Sequence, residues 1–245
     1  MKKYYSVFGL IARSSLLKLA LLLAVSMGVQ WYFYIDNANE YLAQIDPPML
    51  EWLMDLSAAN VYFAITTVAA IIILSLHGCE FGSKCRYTVK RLQISELSYS
   101  VLQTIYNLCI FIIFYAAELV ITYMMCRHYV INVSADIIST QTVFLAYYRN
   151  EFLHSLMPLG DITLWIRNAL TLLALSLGCT HFSLRHRRGK YAISVLFCAV
   201  FAVIWNRGTI GGDITAILMI LIDISLIMLY VYRMVETREV GEYDQ

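Results

Sequence analysis

Three ionisable side chains lie inside long apolar stretches of the sequence, where they could take part in transport. Glu118 is about 10 Å from the outer end of its stretch, and Arg167 is about 8 Å past the start of another, at a rise of about 1.5 Å per residue. Ionisable groups in hydrocarbon usually pair with one another or line a substrate or ion pathway. The matching depths predict a pair between Glu118 and Arg167, or one shared polar pathway. Such a pair would serve either helix packing alone or transport as well.

A further acid, Asp223, lies near the middle of the last apolar stretch, with Ser225 close by. The sequence identifies no basic residue at the same depth. Three environments remain open for this carboxyl group: it is protonated, it is bonded to a partner subunit, or it faces a cavity. We therefore group Glu118, Arg167 and Asp223 as candidate intramembrane polar residues.

The chain that positions these residues has a composition that suits lipid better than water. Hydrophobic residues make up 60% of its 245 residues, and the mean hydropathy is +0.66. A soluble core of this size could not bury so much apolar surface. Because a span needs roughly 20 mostly apolar residues, we predict an all-α polytopic membrane protein. It forms one transmembrane domain over residues 1–245, with six spans at residues 16–34, 58–76, 100–125, 162–179, 191–205 and 214–232.

The placement of charge predicts the orientation of these spans. Most of the 18 Lys and Arg residues precede the first span, follow the last, or lie in the second and fourth connections. Basic connections usually stay on the cytoplasmic side, so both termini are predicted to be cytoplasmic. Trp31 and its aromatic neighbours resemble an interfacial belt, which favours a retained first span over a cleaved signal peptide. The net charge of +1 gives no reason to expect a nucleic-acid partner.

Several connections are predicted to carry amphipathic surface helices. The N-terminal segment has apolar residues at helical spacing, so it is either a helix in the headgroups that turns into the first span or a frayed basic tail. The first outer connection is acidic and is broken by Pro47 and Pro48. The larger outer connection, residues 127–161, has apolar residues every four positions and predicts one outward helix that ends near Pro158. The residues that define this repeat are Phe144, Tyr148, Phe152 and Leu156.

Motifs for catalysis, cofactors and metals are missing from the sequence. It contains no G-x-x-x-x-G-K-[ST], H-E-x-x-H or G-x-S-x-G pattern. His77, Cys79 and Cys85 offer three candidate metal ligands, but without a paired C-x-x-C spacing we interpret them as interfacial packing residues. We therefore expect no catalytic residue, cofactor or metal, and we expect the chain not to be an enzyme.

The basic segment between the second and third spans reads EFGSKCRYTVKRLQISE over residues 80–96. Here the chain resembles the membrane subunits of type-2 ABC exporters, in which a cytoplasmic coupling helix joins these two spans and docks on an ATPase subunit. Glu80, Gly82 and the apolar-polar step at residues 92–95 match that layout. The chain departs from this layout in two ways. It lacks a proline before the third span, and its largest outer connection lies between spans three and four instead of before the sixth span.

The resemblance implies a permease subunit in a bacterial plasma membrane that works as a dimer with itself or with a sister permease. A separate ABC ATPase would hydrolyse ATP and dock on the coupling segment, while membrane lipid surrounds the spans. Alternatively, anionic lipid headgroups hold this basic loop and no partner is needed. The residues that the resemblance assigns to docking are Glu80, Phe81, Gly82, Lys84, Arg86, Tyr87, Arg91 and Leu92.

Two other functions remain open at this point. In a self-sufficient secondary transporter or channel, the three intramembrane polar residues would carry ion coupling or selectivity. In a membrane assembly or immunity protein, the chain would transport nothing and would instead support another protein. The sequence predicts neither the substrate nor the direction of transport.

Overall fold

The computed structural model describes residues 2–42, 47–76, 94–133, 138–139, 141–189, 192–206 and 213–243. These residues form helices joined by short connections, with no strand among them. Inner and outer refer below to the sides that the charge pattern predicts. The helices are α1 (Lys2–Tyr41), α2 (Leu50–Leu56), α3 (Ala59–Leu76), α4 (Glu96–Asn132), α5 (Thr142–Arg149), α6 (Glu151–Leu156), α7 (Ile162–Arg187), α8 (Ser194–Asn206) and α9 (Asp213–Tyr243).

Five helices of the described residues are long and apolar enough to cross a membrane, namely α1, α3, α4, α7 and α9. The all-α polytopic fold predicted from composition is therefore confirmed. Helix α8 is apolar but has only 13 residues, or about 20 Å, against a hydrocarbon core of about 30 Å. The fifth predicted span is thus a shorter helix than a full crossing requires.

The N-terminal part of the chain differs from both predicted alternatives. It is neither a separate surface helix nor a frayed tail, because α1 is one continuous helix of 40 residues. No proline or turn signal lies between Phe8 and the first apolar run, so nothing in the sequence interrupts the helical hydrogen bonds. A headgroup helix that turns into the first span was therefore a wrong prediction.

The outer connection also differs from its prediction, because two short helices replace the single one. The break falls at Asn150, whose side-chain oxygen caps α6 by accepting from the Leu153 amide at 3.0 Å. Its amide nitrogen donates to Asp55 Oδ1 at 2.7 Å and so ties the break to α2. As a result Phe144 and Tyr148 are exposed while Phe152 and Leu156 are buried. The four residues do not share one face.

Helices α2, α5 and α6 form an outer cap over the bundle. Arg149 lies 3.6 Å from Glu51 in an ion pair between α5 and α2. Tyr129 near the outer end of α4 donates to the carbonyl oxygen of Pro48 at 2.7 Å. Burial within this cap raises the pKa of Tyr147 on α5 to about 12.

Helix α7 is the centre of the bundle. It packs against α3, α4, α8 and α9, and 61% of its most apolar 18-residue window is buried. The corresponding share is 11% for α1 and 22% for α9, which leaves their remaining apolar side chains to face lipid. Gly178 allows the closest approach, because a Cβ atom there would lie 2.2 Å from Cys198 Sγ on α8. Side chains on α7 are therefore the best enclosed in the described fold.

Candidate functional site

Arg167 is fully buried in the outer half of α7, with 1% of its surface exposed. Its Nη2 atom donates to Ser155 Oγ on α6 at 2.7 Å and to Asn168 Oδ1 at 3.0 Å. A helical side chain leans toward the N-terminus of its helix, so this arginine reaches up to the outer cap. All of these direct partners are neutral.

Asn168 joins four helices through both ends of its amide. Its oxygen accepts from Trp205 Nε1 on α8 at 2.9 Å, in addition to Arg167. Its nitrogen donates to Tyr115 Oη on α4 at 3.0 Å and to the Ser155 carbonyl oxygen at 2.8 Å. The Tyr115 and Trp205 rings stack with centroids 6.1 Å apart. Together these five residues form what we call the outer polar network.

Sequence reasoning found only Arg167 of this network. Asn168, Tyr115 and Trp205 are individually ordinary residues in apolar stretches, and nothing in their spacing shows that they converge. One signal was available on α7, where Asn168 and Thr171 continue a polar side of the helix beside Arg167. That polar side indicates a buried interface, because polar residues in a span turn away from lipid.

Asp223 on α9 is fully buried and is held by α7. Thr171 Oγ1 donates to Asp223 Oδ2 at 2.8 Å, while Oδ1 has no hydrogen-bond partner in the described part of the chain. Arg167 is one turn before Thr171, and its charge interacts with that of Asp223 beyond ion-pair distance. Arg167 therefore acts on Asp223 electrostatically but forms no ion pair with it, and the direct partner of the carboxyl group in the described residues is Thr171.

Glu118 lies apart from this pair, on the side of α4 that meets α1. Gln30 Nε2 donates to Glu118 Oε2 at 3.0 Å, and both residues are buried. Gln30 Oε1 and Glu118 Oε1 have no partner among the described residues. The predicted pair between Glu118 and Arg167 is thus wrong. Similar depth is not enough, because Glu118 faces α1 while Arg167 points to the cap.

The residues assigned to ATPase docking, Glu80 through Leu92, lie outside the described residues. The helix that follows them begins at Glu96, with Ser95 Oγ accepting from the Ser98 amide at 3.2 Å as its cap. Glu96 forms an ion pair with Arg188, at the end of α7. Beside that pair, the Arg187 guanidinium lies 4.4 Å from the centre of the Tyr99 ring. The inner ends of α4 and α7 are therefore joined a few residues downstream of Leu92.

The described residues offer no metal centre, but they form a groove apart from the outer polar network. No three His, Cys, Asp or Glu side chains within them come together as a metal site would need. A largely apolar groove of about 430 Å³ lies between α3 and α8, with Asn60 and Asn206 among its lining residues. None of the outer polar network lines it, so the network is closed off from this groove.

Comparison with known proteins identifies no relative. The sequence matches no protein-family model, and no curated protein or solved structure is similar enough to be matched.

Proposed function

We propose that this chain is the permease subunit of an ABC transporter, which moves a substrate across the membrane while a separate ATPase docks on the loop between α3 and α4. The observation that carries the proposal is the double contact between the inner ends of α4 and α7. The Glu96–Arg188 ion pair and the Arg187–Tyr99 contact both lie directly after the basic segment that resembles a coupling helix.

This arrangement suits the transmission of movement from an ATPase into the membrane. The coupling segment leads in sequence into α4, which begins at Glu96 with Ser95 as its cap. A displacement of that segment would move the start of α4, and the ion pair would pass it to α7. Helix α7 carries Arg167 and Thr171, and therefore reaches Asp223 on α9. A movement of the coupling segment would thus be passed along α7 to Arg167 and Thr171, and through Thr171 to Asp223.

A second permease subunit, either another copy or a sister chain, completes the proposal. Helices α1 and α9 offer the least buried apolar surfaces of the described spans, and the substrate would pass along the interface between the two subunits. The permease would reside in a bacterial plasma membrane and would hydrolyse no ATP itself.

Co-purification in mild detergent tests the ATPase contact. We expect an ATPase to accompany the chain at equal stoichiometry and to be lost when Phe81, Tyr87 and Leu92 are all changed to Ala, because apolar anchors dominate helix-in-groove contacts. The matched control changes the same three residue types on the outer side, where the side chains are exposed: Phe144, Tyr148 and Leu159.

The control triple variant should keep the ATPase. A wild-type chain that purifies without any ATPase would contradict the proposal, as would an ATPase that stays bound to the Phe81, Tyr87 and Leu92 variant.

A second candidate function is a self-sufficient secondary transporter or channel. It is favoured by one specific observation, the buried acids Glu118 and Asp223, each of which has an oxygen without a partner among the described residues. Reconstitution of the pure chain into liposomes tests it. Uptake driven by an ion gradient without any ATPase, and abolished by Glu118→Gln or Asp223→Asn, would favour this candidate over the permease.

A further inference from the structure

The inner halves of α4 and α7 meet along a line of polar side chains. Thr180 Oγ1 on α7 accepts from Thr104 Oγ1 and from Asn107 Nδ2, each at 3.1 Å. Asn107 also lies 3.4 Å from the Ser176 carbonyl oxygen. We call this line the inner seam, and its residues are Ser100, Gln103, Thr104, Asn107, Ser176 and Thr180.

Only some of the hydrogen-bonding atoms in the inner seam have a partner among the described residues. Gln103 has no exposed surface, yet neither its amide nitrogen nor its amide oxygen has a partner in the described residues. The same holds for Asn107 Oδ1 and Ser100 Oγ. Unpaired polar groups are costly in hydrocarbon, and buried polar groups without a protein partner are usually bonded to water. The inner seam therefore has the hydrogen-bonding capacity of a hydrated site.

Buried polar atoms without a partner in the described chain also occur nearer the inner end of α7, where His181 faces α9 and not the inner seam. Neither ring nitrogen of His181 has a hydrogen-bond partner in the described chain, although the ring contacts Tyr230. Further along α7, Arg185 Nε and Arg187 Nη2 also have no hydrogen-bond partner in the described residues. From the start of α4 the polar atoms reach to Asn107, a depth of about 16 Å. Beyond Asn107 the buried residues are the apolar Ile110 and Phe111.

We propose that the inner seam opens as an aqueous vestibule to the cytoplasmic side when the inner ends of α4 and α7 separate, and that it ends below Ile110. Gln103 and Asn107 have no exposed surface in this structure, so water enters with that separation and can bring solutes that carry hydroxyl, amide or anionic groups. Arg187, which contacts Tyr99 near the start of α4, favours anionic over cationic solutes, since Glu96, the acid at that end of α4, is paired with Arg188. The entry of water and small solutes does not rest on the proposed transport function.

Cysteine labelling tests the vestibule. In a variant that lacks the native cysteines, Gln103→Cys and Asn107→Cys are introduced singly and exposed to a membrane-impermeant maleimide in inside-out vesicles. We expect both to react at least ~10-fold faster than a variant retaining Cys109 alone, because only the thiolate reacts and it forms in water. Cys109 is a matched control, since it is exposed on the lipid side of α4 two residues from Asn107.

Ser100→Cys replaces one oxygen by sulfur and keeps the test decisive if a larger change disturbs folding. Labelling no faster than that of Cys109 at all three positions would overturn the proposal, and so would faster labelling from the outer side. These assays need no ATPase. Rapid inner labelling of a chain that binds no ATPase would leave the vestibule standing and remove the proposed transporter, and slow labelling of a chain that binds an ATPase would do the reverse.

Discussion

Thr171 holds Asp223 across the interface of α7 and α9 through a hydrogen bond of 2.8 Å. One turn earlier on α7, Arg167 supplies the opposite charge without touching the carboxylate. The buried acid and the buried base thus each have neutral groups as their direct partners. This arrangement fixes how α9 sits on α7, and it makes each neutral partner important to stability.

Replacement of Thr171 by Val should test the first of these partners. Valine keeps the shape of the side chain but removes the hydroxyl, which leaves Asp223 Oδ2 without its donor. We expect a loss of about 1–3 kcal/mol in the free energy of unfolding, measured as a lower thermal midpoint in detergent. Thr171→Ser keeps the hydroxyl and should lose much less. Equal midpoints for the Val and Ser variants would contradict the role of this bond.

Asn168→Ala should be more damaging, because this one amide serves Arg167, Trp205, Tyr115 and the backbone of α6. Its loss leaves a buried cation short of an acceptor, and we expect a cost of about 3 kcal/mol or more. Thermal unfolding followed by tryptophan fluorescence measures it.

The control for this change is Asn132→Ala. Asn132 is exposed and makes one hydrogen bond to a carbonyl oxygen of its own helix, so its replacement should shift the midpoint little. If the two variants unfold at the same temperature, the outer polar network does not stabilise the fold in the way its contacts indicate.

Gly178→Ala should destabilise the contact between α7 and α8. The added Cβ would lie 2.2 Å from Cys198 Sγ, so the helices or the thiol must shift, at a cost of about 1–3 kcal/mol. Adding Cys198→Ala removes the sulfur and should restore most of the lost stability. Gly28→Ala is the control, because a Cβ there meets no atom within 4 Å. If Cys198→Ala does not restore stability, the clash with Cys198 Sγ is not the cause of the loss in the Gly178→Ala variant.

Charge reversal at the inner ends of α4 and α7 should affect coupling more than stability. Glu96 and Arg188 are both partly exposed, and such pairs contribute only about 0–1 kcal/mol. We expect Glu96→Lys to leave the thermal midpoint nearly unchanged. It should abolish the increase in ATP hydrolysis that this chain produces in the proposed ATPase partner. Adding Arg188→Glu, which swaps the charges, should restore it. Stimulation that survives Glu96→Lys would show that movement reaches α7 by another route.

The sequence predicted the helical membrane fold because apolar length is a local property. The start of a helix also depends on nearby residues, as the capping of α4 by Ser95 shows. The partner of Arg167 could not be predicted in the same way. Depth places a residue along the membrane normal, but which helix it meets depends on how α7 packs against α9 and under α6. The wrong pairing with Glu118 came from depth alone.

Other differences have equally physical causes. The outer run of apolar residues followed a helical period, yet Asn150 ends one helix and caps the next by accepting from the Leu153 amide. Its amide nitrogen also donates to Asp55, 95 positions earlier in the chain. Trp205 and Tyr115 belong to apolar spans by composition, and only the stacking of their rings places their polar atoms around Asn168. Such contacts between distant segments carry no periodic signal.

Helix α4 has 37 residues and is therefore about 55 Å long, well beyond a hydrocarbon core of about 30 Å. A rigid helix that is held at the middle of the bilayer can pivot there, so its two ends move in opposite directions. When its inner end swings one way, its outer end, where Tyr129 bonds to Pro48 just before α2, swings the other way. A movement at the inner end would thereby reach the outer surface reversed in direction.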